Sequence, residues 1–275
     1  MKRGGKMAVV TRISAQKKSK ERYNVFIDRG AGEEFAFSVH EDVLISNSLK
    51  KGMEISESEW EEILSLDELK RAYSRALHYL SFRMRSAHEI FQYLVKAEIN
   101  EEVATKVIAQ LKEQKYVNDR EFAGMLVRTR MNTTSKGPGA VKQELITKGV
   151  GESDMQHALA EFTHERQLET CTKLAEKVLS QKKNISLNEK KQKLKMQLLQ
   201  KGFSSDVIDQ AISAASASAK PDENEEMEAL KKQAEKAHRK YSKYEGYEYE
   251  MRMKRALFSK GFSAHMIDQV LRENH

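Results

Sequence analysis

Gln143-Glu-Leu-Ile-Thr-Lys-Gly-Val150 is the stretch that decides the fold, because two close copies of it follow along the chain. The copies are Gln197-Leu-Leu-Gln-Lys-Gly-Phe203 and Arg255-Ala-Leu-Phe-Ser-Lys-Gly-Phe262. Their Lys-Gly pairs begin at positions 148, 201 and 260, which are 53 and 59 residues apart. Periods of this size indicate tandem repeats that must stack on one another, since one repeat is too small to bury a core alone.

The repeated stretch has the features of a helix end. Glycine can take the left-handed backbone conformation after the last helical turn, where a residue with a Cβ would be strained. The preceding lysine faces the negative end of the helix dipole, and the following Val or Phe packs back on the helix. We therefore predict left-handed caps at Gly149, Gly202 and Gly261. A weaker copy, Tyr93-Leu-Val-Lys-Ala-Glu-Ile99, has Ala97-Glu98 in place of Lys-Gly.

Small polar residues after each copy indicate the start of another helix, and an amphipathic segment precedes each copy, so each repeat has three helices.

The region before the repeats is predicted to form β-strands instead of helices. Arg22–Asp28 and Glu34–Val39 alternate between apolar and polar residues around a glycine-containing turn, which predicts a β-hairpin. Val9–Ile13 and Met53–Ile55 are predicted to add two further strands.

The alternation predicts that three apolar residues of the second hairpin strand share one face: Phe35, Phe37 and Val39. Ser58 and Glu61 have capping-box spacing, so a helix is expected to begin near Glu59. Three of its residues are expected to cover the sheet: Trp60, Ile63 and Leu64.

The predicted fold is mainly α, with tandem three-helix repeats in a helix-turn-helix-like array and a small β-rich N-terminal domain. The predicted divisions are residues 1–58 for the β-rich domain, 59–120, 121–163 and 164–217 for three repeats, 218–224 for an acidic linker, and 225–275 for a fourth repeat.

The charge distribution indicates a polyanionic partner or a solvated helical surface. The 275 residues carry a formal net charge of +7. Residues 165–201 and residues 231–260 each contain 10 Lys/Arg against 4 Asp/Glu. Two such segments in consecutive repeats favour a surface that faces phosphates, although a charged segment is also typical of an exposed helix.

No motif predicts catalysis, a cofactor or a metal. Cys171 is the only cysteine, and it is expected to be a small core residue. Ser135–Lys142 lacks the phosphate-loop pattern, and Pro138 fits the first turn of a helix better. A phosphate contact to the amides before that helix stays open as a minor hypothesis. No apolar segment has the length of a signal peptide or a membrane span, so we expect a cytoplasmic protein.

Three further segments are specific enough to compare with known families: Arg83-Met-Arg-Ser-Ala-His-Glu-Ile90, Tyr116-Val-Asn-Asp-Arg-Glu-Phe-Ala123, and Ser135-Lys-Gly-Pro138 running into the first Lys-Gly copy. In their order and spacing these segments resemble the RecX family. The resemblance covers nearly the whole chain, and the β-rich extension and fourth repeat go beyond the shorter three-repeat members. It implies a crescent of three-helix modules that binds RecA, lodges in the groove of the RecA–DNA filament and modulates ATP hydrolysis, strand exchange and disassembly, without a catalytic centre.

Eight cations are the candidate residues for contact with the partner or filament: Arg83, Arg85, Lys190, Lys191, Lys193, Lys195, Lys254 and Arg255. Arg83 and Arg85 precede a helix that Ser86 is expected to cap. Arg85 either pairs with Glu89 or binds carboxylates of a partner. The other six are expected to form one stripe on the middle helices of the third and fourth repeats. Four tyrosines nearby fit either packing between helices or stacking on nucleic acid: Tyr241, Tyr244, Tyr247 and Tyr249.

The leading interpretation is a monomeric, non-enzymatic regulator that binds RecA and the RecA–DNA filament. It is expected to inhibit RecA in recombination, DNA repair and the SOS response. The alternative is a direct DNA-binding protein, with single- or double-stranded DNA as its partner. A third class is a repeat scaffold that binds proteins without changing RecA activity.

Overall fold

Four strands in the first part of the chain form one antiparallel sheet with the order β3-β2-β1-β4. The computed structural model describes residues 7–17, 19–181, 183–218 and 223–273. The strands and the short helix that follows the third are β1 (Ala8–Gln16), β2 (Ser19–Asp28), β3 (Glu33–His40), α1 (Glu41–Ser46) and β4 (Glu54–Ile55). The predicted hairpin and both additional strands are confirmed.

One side chain of the hairpin points away from its predicted face. Val25 pairs with Phe37, but Phe26 pairs with Phe35, so Ala36 is an extra residue in β3. Because a bulge of one residue reverses the alternation, Phe37 and Val39 are buried whereas Phe35 is 58% exposed. Phe35 packs on the outer face against Phe26, with ring centroids 5.8 Å apart.

Helix α2 (Glu57–Ser81) covers the inner face of the sheet. Ile63 is buried and Trp60 packs against Phe37, as predicted, but Leu64 is exposed and does not belong to the cover. The predicted capping box at Ser58 and Glu61 is wrong. Ser56 and Glu59 form it instead, because β4 ends at Ile55 and the chain enters the helix at once.

A partly buried ion pair links the sheet to α2. Arg22 on β2 donates to the Asp67 carboxylate at 2.8 Å, and the backbone N–H of His40 donates to the same carboxylate at 2.7 Å. Asp67 is almost fully buried, so these donors compensate for the loss of its hydration.

Helix α2 also starts the first three-helix repeat, with α3 (Ala87–Lys96) and α4 (Glu101–Glu113). Its core contains Ala72, Ala76, Ile90, Leu94, Ala104, Val107, Leu111 and Val117. The weak copy of the Lys-Gly signal is a genuine equivalent, because Glu98 takes the left-handed conformation at φ 62°.

The chain divides into two units. The first ends at Phe122 and also contains Lys148–Val150, and the second contains Ala123–Thr147 and continues from Gly151. The remaining helices, in chain order, are α5 (Asp119–Thr133), α6 (Pro138–Thr147), α7 (Glu152–Leu159), α8 (His164–Leu179), α9 (Leu187–Gln200), α10 (Ser205–Ser218), α11 (Glu223–Tyr241), α12 (Gly246–Phe258) and α13 (Ala264–Glu273). The helices form tandem groups of three, as predicted, and α3, α6, α9 and α12 are the middle helices. Residues 219–222 of the predicted acidic linker lie outside the described residues.

All three predicted glycine caps are confirmed. Gly149, Gly202 and Gly261 have φ values of 67°, 89° and 85°. The apolar residue after each glycine is buried, namely Val150, Phe203 and Phe262. The lone cysteine, Cys171, is buried in the core of the third repeat, where burial raises the pKa of its thiol to about 11.

In the second unit the middle helices meet end to end. At the end of α9, the carbonyl of Lys201 accepts from the Gly137 N–H at 2.7 Å, and that of Gly202 from the Gly139 N–H at 2.9 Å. At the end of α12, the carbonyl of Lys260 accepts from the Ser186 hydroxyl at 2.5 Å. The unpaired carbonyls of one helix thus meet the unpaired donors of another. The amides near Pro138 are therefore occupied, which removes the hypothesis of a phosphate contact there.

Candidate functional site

Arg83 and Arg85 lie in the turn between α2 and α3, but their partners differ from the prediction. Arg83, not Arg85, pairs with Glu89, at 2.9 Å, and its side chain is about half exposed. The guanidinium of Arg85 lies 3.9 Å above the centre of the Tyr79 ring, which itself stacks on Tyr93 at 4.0 Å. Arg85 is thus held flat on an aromatic pair, and it has no ion pair with a carboxylate of the described residues.

Glu89 joins this turn to the first Lys-Gly cap. Ser86 caps α3 as predicted, and its hydroxyl also donates to the carbonyl of Lys148 at 2.6 Å. The ammonium of Lys148 reaches Glu89 at 2.7 Å. Burial would raise the pKa of Glu89, but hydrogen bonds from Arg83, Lys148 and the Ser86 backbone outweigh it and lower the pKa to about 2. Glu89, ionised at neutral pH, therefore holds Arg83 and the cap in place.

Lys190 does not lie on the predicted exposed stripe. Its side chain is about 8% exposed, and its ammonium donates to the carbonyl of Gln181 at 2.9 Å and to Glu225 at 3.2 Å. Lys190 thus links α9 to the residues before it and to α11. The structure makes it an internal residue of the second unit.

Three of the stripe lysines, exposed Lys193 and half-buried Lys195 and Lys254, are paired within the molecule. Lys193 contacts Glu189 one turn earlier on α9, at 2.7 Å. Lys195 contacts Asp209 on α10 at 2.7 Å, and hydrogen bonding by Lys195 lowers the pKa of that carboxyl.

Lys254 occupies the equivalent position on α12. It contacts Asp268 on α13 at 2.9 Å and Glu250 at 2.7 Å, and hydrogen bonds to Glu250 and Asp268 raise its pKa. Exposed pairs of this kind are weak and solvated, so the lysines remain accessible but with reduced net charge.

Lys191 and Arg255 are the stripe residues with the most available charge. Arg255 is exposed and Lys191 half-buried, and neither has an ion pair to a described residue. Both lie on middle helices that meet end to end, α9 and α12. Of the six stripe residues, four are thus paired with a carboxylate and two keep an available charge.

Three of the four tyrosines pack against the molecule. Tyr241 and Tyr249 border the core of the fourth repeat, and Tyr249 also bonds to His238 at 2.9 Å. Tyr244 lies under Arg252, with the guanidinium 4.0 Å from the ring centre. Tyr247 is 78% exposed and is the one member available for contact with a partner.

Across the described ranges, no three His, Cys, Asp or Glu side chains are grouped to hold a metal ion. Within the same ranges, no helix combines the length and apolar character that a membrane span requires. The surface features that could contact a partner are the cations described above and the exposed apolar side chains.

Models of the RecX family match the β-rich domain and each of the four repeats. A model described as the regulatory protein RecX N-terminal domain matches residues 8–56. Models of the first and second RecX three-helix domains match residues 72–111 and 118–159. The model of the third RecX three-helix domain matches twice, over residues 165–212 and 224–271. The fourth repeat is thus similar to the third domain of the family.

Individual relatives agree over nearly the full length. The regulatory protein RecX of Bacillus cytotoxicus is 41% identical over 265 residues, which cover 96% of this chain and 97% of the relative. That of a Geobacillus species is 42% identical, with the same coverage. A crystal structure of regulatory protein RecX matches with a TM-score of 0.64 and 39% identity, covering 75% of this chain and 99% of the other. The crystal structure of RecX from Lactobacillus salivarius matches with a TM-score of 0.53 and 35% identity, over 55% of this chain.

Proposed function

Since this chain belongs to the RecX family of regulatory proteins, we propose that it binds RecA and the RecA–DNA filament and inhibits RecA. The inhibited activities are ATP hydrolysis, recombination and co-protease activity. The observation that supports this most strongly is the similarity of the N-terminal domain and all four repeats to RecX domains. The protein acts as a cytoplasmic monomer in homologous recombination, DNA repair and the SOS response, and it has no catalytic activity of its own.

We propose that cations of two regions make the polar contacts to the filament. Arg83 and Arg85 serve in the first unit, where Arg83 is half exposed and Arg85 lies flat on Tyr79. The second unit contributes Lys191, Lys193, Lys195, Lys254 and Arg255. Lys190 is left out because its ammonium is enclosed and bonded to Gln181 and Glu225. Guanidinium and ammonium groups both bind carboxylates and phosphates, so these contacts fit both the protein and the DNA of a filament.

The test is RecA ATP hydrolysis on single-stranded DNA with increasing amounts of this protein. Inhibition that saturates supports the proposal, and the protein without RecA should hydrolyse no ATP. Unchanged RecA hydrolysis at all concentrations would reject inhibition.

A charge-reversal variant tests the proposed contacts in the same assay. Lys191→Glu/Arg255→Glu is suited because neither cation has an ion pair to a described residue, so folding should be unaffected. We expect about tenfold more variant for half-maximal inhibition, since a tenfold loss equals about 1.4 kcal/mol. Lys177→Glu/Lys236→Glu, on the outer helices α8 and α11, makes the same charge change and should inhibit like the wild type. Equal inhibition by both variants would indicate that Lys191 and Arg255 do not contact the filament and that Arg83 and Arg85 are the next residues to test.

Direct binding to DNA is the second candidate function, and the basic segments favour it. Binding through 6–10 phosphates would lose roughly 10³-fold or more in affinity between about 50 and 200 mM salt. Weaker salt dependence, together with tighter binding to RecA-coated DNA than to bare DNA, supports the RecA-directed function.

A further inference from the structure

Exposed apolar side chains in the second unit are concentrated on the middle helices. Of its seven exposed large apolar residues among those described, six lie on α6, α9 and α12. The six are Ile146, Met196, Leu199, Tyr247, Met251 and Phe258. The seventh, Met125, lies on α5. Single exposed apolar residues are common on protein surfaces, but they are expected to be scattered over all helices.

Three of the six occupy the same position of the repeat. Ile146, Leu199 and Phe258 each lie two residues before the lysine of a Lys-Gly cap and are 48%, 39% and 66% exposed. They contribute to no buried core, whereas the leucine directly before each of them is almost fully buried. The exposed position therefore recurs with the repeat, without a role in folding that would require an apolar side chain.

The remaining three extend this surface along the same helices. Met196 precedes Leu199 by three residues, and Met251 and Tyr247 precede Phe258 by seven and eleven. With 3.6 residues per turn, these spacings place the side chains on one face of each helix. We name the six residues the apolar row.

The charges beside the apolar row are largely neutralised. The residue four before each repeated apolar position is a lysine paired with an acid of the following helix: Lys142 with Glu152 at 3.6 Å, Lys195 with Asp209 at 2.7 Å, and Lys254 with Asp268 at 2.9 Å. Arg255 and Lys191, which lack an ion pair to a described residue, lie beside the row. Each middle helix thus presents exposed apolar side chains with few unpaired cations beside them, which is typical of protein interfaces more than of phosphate-binding surfaces.

We infer that the apolar row is the surface through which this protein holds the RecA protein of the filament, in an apolar groove bordered by carboxylates. The inference rests on the proposed function. Aromatic and aliphatic side chains that become fully buried contribute most of the affinity of protein interfaces, and rim charges contribute less. The carboxylate border follows from charge complementarity to Arg255 and Lys191.

The experiment compares Leu199→Ser/Phe258→Ser with a matched control, Met125→Ser, in binding to RecA filaments on single-stranded DNA. We expect at least a tenfold loss of affinity for the double variant, with the same salt dependence as the wild type, and no change for the control. Because the substituted side chains are exposed, both proteins should melt like the wild type.

Wild-type affinity in the double variant overturns the inference while leaving the proposed function intact. A wild-type protein that does not bind the filaments rejects the proposed function and the inference together. Sedimentation equilibrium tests a second copy of the chain as the occupant. Self-association of the wild type that the double variant abolishes would overturn the assignment to RecA.

Discussion

A side chain at each of the three cap glycines would meet a different neighbour. A Cβ at Gly202 would lie 2.2 Å from the backbone nitrogen of Ala140, and one at Gly149 would lie 2.4 Å from the Cβ of His88. At Gly261 the nearest atom is the Ser186 hydroxyl oxygen at 2.8 Å, which is a less severe approach than at the other two glycines. All three glycines thus need the left-handed backbone conformation, but the distance from an added Cβ to the nearest atom of another helix start differs among them.

These distances predict a ranked loss of stability for Gly→Ala substitutions. Left-handed strain alone costs about 1 kcal/mol, and Gly52→Ala provides the control, because φ is 82° there with no atom within 4 Å. We expect about 1–2 kcal/mol for Gly261→Ala and about 3 kcal/mol or more for Gly149→Ala and Gly202→Ala. Urea unfolding measures the differences. Equal losses at all four positions would show that the close approach of the helix ends has no energetic effect.

The sequence was sufficient to predict the glycine caps because their cause is local. The residue that approaches each glycine comes from 61 to 75 positions away, and no pattern along the chain indicates it. The pairing of Arg83 with Glu89 was missed for a related reason. Arg85 lies four residues before Glu89, and this spacing alone favoured an ion pair between the two. In the structure, the guanidinium of Arg85 lies instead on the ring of Tyr79, which stacks on Tyr93.

At the scale of secondary-structure elements, two glutamates in the middle helices organise the ends of neighbouring segments. Glu89 of α3 binds Arg83 and Lys148, and Glu144 of α6 binds Arg130 and Lys136. Hydrogen bonding from Arg130, with that from Lys136, lowers the pKa of Glu144 to about 2 despite partial burial. Both carboxylates stay ionised in the folded protein at pH values where the unfolded chain is protonated.

This difference predicts a loss of stability in acid. Because the folded-state pKa values are lowered, the stabilisation is complete above the unfolded value of about 4.5 and is lost as the pH falls towards 2. Between pH 6 and pH 3, we expect the free energy of unfolding of Glu89→Gln/Glu144→Gln to fall by roughly 4 kcal/mol less than that of the wild type, about 2 kcal/mol for each carboxyl, as measured by urea unfolding. Glu101→Gln, an exposed control, should follow the wild type. An identical pH dependence for all three proteins would contradict this account.

Most helices were predictable from amphipathic periodicity and caps, but the environment of a charged residue was not. Lys190 belongs to a basic segment of α9, and nothing in that segment distinguishes it from Lys191. Its partner Glu225 is 35 residues away, on α11, and its second partner, the Gln181 carbonyl, precedes α9. The start of α2 was missed by two residues because the end of β4 determines it.

For the molecule as a whole, the repeat period and the alternation near the start of the chain were enough to predict the β-rich domain followed by three-helix repeats. The end-to-end contacts of α6, α9 and α12 were not predictable, because they depend on hydrogen bonds between residues more than 60 positions apart. The helices that these contacts connect, α6, α9 and α12, are equivalent members of successive repeats, and they carry the apolar row. A surface that recurs with the repeats suits a long partner better than a small ligand.

The most direct test of the central claim is the length of RecA filaments on single-stranded DNA, measured by electron microscopy, with the bound protein determined by co-sedimentation. We predict that the protein sediments with the filaments at about 150 mM salt and that filaments become shorter as its concentration rises. Bare single-stranded DNA should retain less of the protein under the same conditions, because the lysine that lies one helical turn before each repeated apolar position is already paired with a carboxylate. Filaments of unchanged length, with equal or stronger binding to bare DNA, would contradict the account.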